Sequence, residues 1–241
     1  MITGCDLNTN INDMEKLFKL TPHVLAAINS RVDASTATGM GVIGAFEAFQ
    51  KCFSQDFTDG VLVHGCGSVG RIVASELVKR KIKTFVVDID TERTNIPGVI
   101  SLGNDKNWYR KNFDVIFPCS ISGLINTNIA QFLLKTKAII SAANGPFSNN
   151  VIPAKLTDSK VVIIPDPLVN AGAVIADSIE KYAPDAWTRT SPEKVYNFVQ
   201  EEVRKKCFTY LSLEQSGLES KEILSLMQND RQEIIGKSFF N

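Results

Sequence analysis

A strand, glycine-rich turn, helix and second strand at residues 58–90 constrain this chain more than any other feature. An apolar run at 61–63 leads into the turn GCGSVG at 65–70, and an amphipathic helical pattern follows. A second apolar run at 84–87 ends at Asp88. In such a unit the first glycine permits a tight turn, the second lets a pyrophosphate approach the backbone, and the third lets helix and strand pack closely. The pattern predicts a dinucleotide-binding βαβ unit.

The acidic residue Asp88 indicates which dinucleotide is bound. A carboxylate at the end of the second strand accepts hydrogen bonds from the ribose diol and repels a 2′-phosphate, so NAD is predicted in preference to NADP. The phosphates are expected on the free N–H groups at the positive end of the helix. The alternative is a fold of this kind that no longer binds a ligand.

Composition excludes several other classes of protein. The 241 residues hold 26 basic and 26 acidic side chains, so net charge offers no case for nucleic acid or an anionic membrane. No apolar run is long enough to span a bilayer, and the first ten residues, MITGCDLNTN, predict no signal peptide.

Five cysteines are present, and they form no Cys-x-x-Cys pair, so no metal site is predicted. They are interpreted as reduced thiols of a cytoplasmic protein. Cys66 lies inside the glycine turn, where it is either a small filler of space or a redox-sensitive thiol.

Short apolar runs alternate with helical patterns along the rest of the chain. The runs lie at 99–100, 114–117, 138–140 and 161–164, and the helical patterns at 105–111, 125–134 and 170–182. This alternation predicts an α/β fold, a doubly wound parallel sheet of the Rossmann type covered by helices on both faces. The loop at 141–149 would then lie at the carboxyl edge of the sheet, where ligands bind in such folds.

Further helical patterns flank this region. They lie at 10–20, 35–53, 192–211 and 220–228, with a break expected at 184–191. Ser35 or Thr36 is predicted to cap the second of them. Gly39, Gly41 and Gly44 cluster within it, and because a helical glycine costs about 1 kcal/mol relative to alanine, they indicate close approach of a backbone or a ligand.

Several segments in a fixed order make the sequence resemble a known family. They are SxxTxxGV at 35–42, the turn at 65–70 with VVDI at 86–89, Pro118-Cys119, AAN at 142–144, and PDxxxNAG at 165–172. Together they resemble the cofactor domain of the leucine, phenylalanine, valine and tryptophan dehydrogenases, in the glutamate dehydrogenase superfamily. The resemblance covers nearly the whole chain and implies an NAD-dependent oxidoreductase acting on CH–NH2 or C=N groups.

The resemblance also implies roles for single residues. Those implied to bind the cofactor are Thr38, Gly65, Gly67, Ser68, Val69, Gly70, Asp88, Cys119, Ser120, Asn144 and Asn170. Thr38 would contact the nicotinamide amide, and Asn144 and Asn170 would face both nicotinamide and substrate. Asp6 matches the family's acidic catalytic residue, so Asp6, Asn144 and Asn170 are the candidate catalytic residues. The alternatives are that Asn170 only caps the following helix and that Asp6 is a solvated side chain.

The sequence also departs from the family pattern. The family's substrate domain, with its two functional lysines, precedes the position of Met1, so only a remnant is expected here. The predicted divisions are a helical remnant of the substrate domain at 1–34, an NAD-binding domain at 35–185, and helices at 186–241 that pack on the body or on a second subunit. The loop at 117–123, FPCSISG, differs from the family's Ala-Pro-Cys-Ala-x-Gly-Gly and alters one wall of the site.

Three functions are compatible with this pattern. The first is an oxidoreductase that transfers hydride at a C–N centre, an imine or an unusual amino acid, in a specialised pathway. The second is a non-catalytic NAD(H)-binding subunit that works with a partner chain carrying a substrate domain. The third is an ordinary leucine- or phenylalanine-type dehydrogenase. A small-molecule substrate and a homodimer formed through helix 10–20 and the tail helices are expected.

Overall fold

A parallel sheet of six strands lies at the centre of the computed structural model, which describes residues 11–21, 23–24, 31–53 and 56–229. The strands are β1 (Val61–His64), β2 (Thr84–Val87), β3 (Ile100–Ser101), β4 (Val115–Pro118), β5 (Ala138–Ile140) and β6 (Val162–Ile164). Their order across the sheet is β3-β2-β1-β4-β5-β6, and every neighbouring pair is parallel. The doubly wound sheet predicted from the alternating pattern is confirmed.

Helices cover both faces of this sheet. They are α1 (Ile11–Phe18), α2 (Ala34–Phe53), α3 (Ser68–Lys79), α4 (Thr127–Ala130), α5 (Val151–Asp158), α6 (Asp166–Val169), α7 (Gly172–Tyr182), α8 (Pro184–Arg189), α9 (Pro192–Gln215) and α10 (Ser220–Asn229). Two 3₁₀ segments, Thr91–Thr94 and Trp108–Arg110, follow β2 and β3.

Strand β1 is buried on both faces because it lies in the middle of the sheet. Val61 and Val63 pack into the core formed with α2, α3 and α9, whereas Leu62 packs into the core formed with α4 and α5. All three side chains are inaccessible to solvent, as expected for a central parallel strand. The switch between β2 and β4 on either side of β1 leaves a crevice at the carboxyl edge, where ligands bind in such sheets.

The glycines of α2 allow close contact with neighbouring backbone. A Cβ atom on Gly44 would lie 2.2 Å from the carbonyl oxygen of Gln200 in α9, so only glycine permits this crossing. A Cβ on Gly41 would lie 3.1 Å from the carbonyl oxygen of Val169 at the end of α6. Of the two explanations offered by the sequence, the approach of another backbone accounts for these two positions.

Two predicted helices were too long, and the cap predicted for a third helix was wrong. The helix expected at 125–134 is reduced to α4, because Ile125 forms a bridge with Phe147 and the side chain of Asn126 accepts hydrogen bonds from two N–H groups of the first turn. The helix expected at 105–111 is only the 3₁₀ segment Trp108–Arg110. Helix α2 is capped by Asp33, whose Oδ1 accepts from the N–H of Thr36 at 2.7 Å, and not by Ser35 or Thr36.

Three helices, α5, α6 and α8, lie where the sequence pattern predicted none. The expected break at 184–191 contains α8, which begins at Pro184, a residue tolerated in a first turn because it has no N–H to leave unpaired. Helix α5 follows the loop at 141–149 and buries Ile152 and Leu156.

The last long helix, predicted to end at 211, continues to Gln215. The edge strand expected at 99–100 lies one residue later, at Ile100–Ser101.

Candidate dinucleotide site

Two glycines of the turn are required by the packing of the protein itself. Gly65 has φ +93°, and a Cβ on it would lie 2.7 Å from Cβ of Ser120. A Cβ on Gly70 would lie 1.9 Å from the carbonyl oxygen of Gly65, so the first turn of α3 could not approach the end of β1 with any other residue. The N–H of Gly65 donates to the carbonyl of Val87 at 2.8 Å, which fixes the turn on β2.

The middle glycine of the turn has a different environment. Gly67 precedes α3 with φ −68°, and no protein atom lies within 4 Å of the position that a Cβ would take. No side chain caps the helix, so the N–H groups of its first turn, which begins at Ser68 and Val69, donate to no capping side chain there, and the space beside Gly67 is open. Free N–H groups and the positive end of a helix dipole form a site that suits a pyrophosphate.

Asp88 follows β2 and links two turns at the carboxyl edge. Its Oδ2 accepts from the N–H of Cys66 at 2.5 Å, and its Oδ1 accepts from the N–H of Asp90 at 2.9 Å. The residue is only 7% exposed. Each carboxylate oxygen has a second lone pair, so these bonds orient the carboxylate and still leave capacity for ribose hydroxyls.

Asn144 and Asn170 are brought together by the loop after β5 and the end of α6. Nδ2 of Asn170 donates to Oδ1 of Asn144 at 2.7 Å and to the carbonyl oxygen of Ala142 at 3.2 Å. The start of helix α7 has no side-chain cap, so Asn170 does not cap the helix that follows it. In the same loop the N–H of Gly145 donates to Oδ2 of Asp166 at 3.1 Å.

Thr38 lies in the first part of α2, close to the start of α7. A Cβ on Gly172, at the start of α7, would lie 2.7 Å from Cα of Thr38. A Cβ on Gly39 would lie 2.7 Å from Cγ2 of Ile72 in α3. The beginning of α2 therefore contacts both the helix after the glycine turn and the helix after Asn170.

The thiols near the turn have raised pKa values. Burial raises the pKa of Cys66 to about 11, and burial also raises the pKa of Cys119 strongly. Cys52, Cys66, Cys119 and Cys207 are free thiols. Because the thiolate is the reactive form, Cys66 is a filler of space in the turn and its alternative, a redox-sensitive thiol, is disfavoured.

His64 is a polar residue at this edge that none of the sequence motifs indicated. It is the last residue of β1, and its Nδ1 lies 2.9 Å from Oγ of Ser120. Its ring meets the indole of Trp108 edge to face, with centroids 5.0 Å apart. Burial lowers the pKa of His64, an effect opposed by the charge of Asp88. The available signal was a histidine directly before the glycine turn, at the carboxyl end of a buried strand.

Asp6, the third candidate catalytic residue, lies outside the described residues.

Two grooves lie away from the glycine turn. One of about 510 Å³ runs between α4 and α5, and one of about 740 Å³ lies along α5, β6 and the end of α9. Within the described ranges, no cluster of histidine, cysteine and acidic side chains is arranged to hold a metal ion. No helix in the part of the chain that the structure describes is long and apolar enough to cross a membrane.

The parallel strand order and the glycine turn define a Rossmann-type domain whose fold fits the binding of NAD. Comparison with known families identifies the kind of protein more closely. The model of the glutamate/leucine/phenylalanine/valine dehydrogenase family matches residues 82–229, and the chain belongs to this family. The resemblance found in the sequence motifs is thereby confirmed.

Similar proteins agree with this assignment. Phenylalanine dehydrogenase from Caldalkalibacillus thermarum is 29% identical over 197 residues, which cover 76% of this chain and 53% of that protein. The crystal structure of L-tryptophan dehydrogenase from Nostoc punctiforme superposes with a TM-score of 0.75 at 21% identity, over 98% of this chain and 68% of that one. The crystal structure of hetero-hexameric glutamate dehydrogenase from Thermus thermophilus superposes with a TM-score of 0.74 at 19% identity, over 99% of this chain and 65% of that one. The chain spans about half the length of the curated relatives it matches.

Proposed function

We propose that this chain is the NAD-binding part of an oxidoreductase that transfers hydride at a C–N centre of a small molecule. The observation that carries the proposal is Gly67, the glycine whose side-chain position is open although its neighbours Gly65 and Gly70 are tightly packed. An open position at the start of α3 is what a bound pyrophosphate requires.

The chain's own residues supply the remaining contacts in this proposal. Ser68 and Val69 offer backbone N–H groups to the pyrophosphate, and Asp88, already oriented by the N–H groups of Cys66 and Asp90, accepts from the adenosine ribose. Nicotinamide supplies the hydride donor or acceptor when the dinucleotide is bound.

The Asn144–Asn170 pair supports a site for the carboxamide of the nicotinamide. The carbonyl of Ala142 can only accept, so it fixes Nδ2 of Asn170 as its donor, and Oδ1 of Asn144 must then accept from the same nitrogen. This leaves Oδ1 of Asn170 as an acceptor and Nδ2 of Asn144 as a donor. A primary carboxamide carries one group of each kind and would bind this pair with both hydrogen bonds made.

The proposed substrate class is an imine or an unusual amino acid. Hydride transfer mainly requires that the nicotinamide be held against a carbon electrophile. In this proposal the Asn144–Asn170 pair holds the nicotinamide. A preformed imine presents such a carbon directly, whereas deamination of an amino acid also needs a group that activates water, commonly worth about 10²–10⁴-fold.

The test is to follow NADH oxidation with a panel of cyclic imines, and NAD reduction with leucine and phenylalanine, using the same preparation. We expect turnover of at least one imine and weaker turnover of both amino acids. Oxidation of leucine as fast as reduction of the best imine would contradict the substrate class. Failure of the chain to bind NADH would contradict the proposal as a whole.

A second candidate function is an NAD(H)-binding subunit that works with a partner chain. It is favoured by the likeness to a glutamate dehydrogenase described as hetero-hexameric. This function predicts tight NADH binding with no turnover of either substrate class by the isolated chain, and recovery of turnover when a chain carrying a substrate domain is added.

A further inference from the structure

His64 and Ser120 join two segments at the candidate dinucleotide site. His64 ends β1 and directly precedes the glycine turn, whereas Ser120 lies two residues after β4. Their side chains are partly buried and are joined by the 2.9 Å contact between Nδ1 and Oγ. The backbone supports the same connection, since the N–H of Cys119 donates to the carbonyl of His64 at 2.7 Å.

Ser120 is in direct contact with the glycine turn. A Cβ placed on Gly65 would lie 2.7 Å from Cβ and 2.8 Å from Cα of Ser120, so the serine forms the wall against which the first glycine packs. A serine hydroxyl donates one hydrogen bond and accepts two, so the contact with His64 leaves capacity for a further partner. The open region in front of Gly67 begins two residues away along the turn.

The ring of His64 is held in a fixed orientation. Trp108, which is only 3% exposed, meets it edge to face at 5.0 Å. A ring held in this way keeps Nδ1 directed at Oγ of Ser120. With the proton on Nδ1 the ring donates to Oγ, and the Ser120 hydroxyl keeps its own proton to donate to a ligand oxygen. Pre-orienting a hydroxyl before a ligand arrives removes part of the entropic cost of binding.

We infer that His64 is a positioning residue for the dinucleotide, which it serves by orienting the hydroxyl of Ser120 toward the sugar–pyrophosphate part of the ligand. The inference deepens the proposed function and rests on it. His64 itself does not contact the ligand in this arrangement, so its effect on binding passes through Ser120.

The design of the test depends on which ring nitrogen each amide side chain imitates. An asparagine at this position places its amide near the site of Nδ1, whereas a glutamine reaches only the site of Nε2. Both substitutions remove the aromatic ring that packs against Trp108. His64→Asn and His64→Gln therefore form a matched pair that differs in the hydrogen bond to Ser120.

NADH affinity of the full chain is measured by nucleotide fluorescence for the wild type, the two His64 variants, Ser120→Ala, and the double variant His64→Gln/Ser120→Ala. We expect a loss of about five- to tenfold for His64→Gln and for Ser120→Ala, the size of one net hydrogen bond. His64→Asn should stay within about twofold of the wild type, and the double variant should bind no more weakly than Ser120→Ala.

Several results would overturn the inference. They are equal losses for His64→Asn and His64→Gln, additive losses in the double variant, or unchanged affinity in folded Ser120→Ala. The last of these remains decisive even if His64→Gln does not fold, because Ser120→Ala leaves the histidine in place. Absence of NADH binding by the wild type would overturn both this inference and the proposed function, whereas wild-type binding with unaffected variants would overturn this inference alone.

Discussion

Asn170 donates a hydrogen bond from Nδ2 to Oδ1 of Asn144 across 2.7 Å, joining the end of α6 to the loop after β5. The two residues are 26 positions apart in the chain. They meet because both follow neighbouring parallel strands, β5 and β6, at the same edge of the sheet. In the proposed function this pair orients the nicotinamide and the substrate.

Replacing Asn170 should affect turnover more than cofactor binding. Asn170→Ala removes one hydrogen bond of the proposed carboxamide site and also an interaction made near the transition state, so we expect the NADH dissociation constant to rise about five- to tenfold and turnover to fall by a larger factor. Asn170→Asp is a matched variant of nearly equal size that cannot donate to Asn144. Steady-state assays with the best imine and fluorescence titrations give the two values. Equal losses in both quantities would contradict the assigned role.

Replacing Asp88 should reduce the preference for NADH. Asp88→Asn removes the charge that repels a 2′-phosphate, and it keeps one oxygen that accepts from the N–H of Cys66. Since a hydrogen bond to a charged group is worth about 1.5–3 kcal/mol, we expect the NADH-to-NADPH affinity ratio to fall about tenfold or more. Titration of both nucleotides measures the ratio. A wild-type protein that binds the two equally would show that Asp88 is not at the ribose.

Gly67→Ala should separate binding from folding. The added Cβ meets no protein atom within 4 Å and the backbone has φ −68°, so the melting temperature should stay within about 2 °C of the wild type. The same methyl group would occupy the space proposed for the pyrophosphate, and NADH affinity should fall about tenfold or more. Gly44→Ala is the contrasting control, because its Cβ would lie 2.2 Å from a carbonyl oxygen of α9 and should destabilise the fold. Unchanged NADH affinity in Gly67→Ala would place the pyrophosphate elsewhere.

His64 should make stability depend on pH on the acidic side of neutrality. Burial holds the pKa of His64 in the folded protein below its ordinary value of 6.5, so the unfolded chain binds the proton more readily. This contribution to stability is fully present above pH 6.5 and is lost as the pH falls from there toward the lowered pKa. Urea unfolding of wild type and His64→Asn at several pH values measures it. The difference in unfolding free energy between them should change over this interval, and a constant difference would contradict the prediction.

The homodimer stays a prediction that solution measurements can decide. Phe18 at the end of α1 and Leu226 in α10 are 44% and 52% exposed, and both belong to the segments expected at the interface. Light scattering at micromolar concentration should give about twice 26.5 kDa. Phe18→Ser with Leu226→Ser should shift the mass toward the monomer, whereas Val174→Ser, an exposed residue of α7, should not. A wild-type mass of 26.5 kDa would exclude the dimer.

The local βαβ pattern was predictable because each of its signals is short in range. Alternating apolar runs and helical patterns specified the parallel sheet, and the spacing of Gly65, Gly67 and Gly70 specified the turn. Asp88 was predicted at the end of β2 because a strand boundary can be read from its own residues. Helix lengths were predicted less well, since the loss of most of helix 125–134 depends on Ile125 pairing with the distant Phe147.

Contacts between distant segments were decided only by the tertiary structure. Periodicity could not show that Nδ1 of His64 meets Ser120, or that Gly44 lies against Gln200 of α9, because such contacts depend on how strands and helices cross in space. The sequence by itself determined the fold class, the glycine turn and the family, since these follow from residue order and local backbone preference. The tertiary structure decided which side chains share the site and which glycines serve packing, because these depend on distances across the sheet.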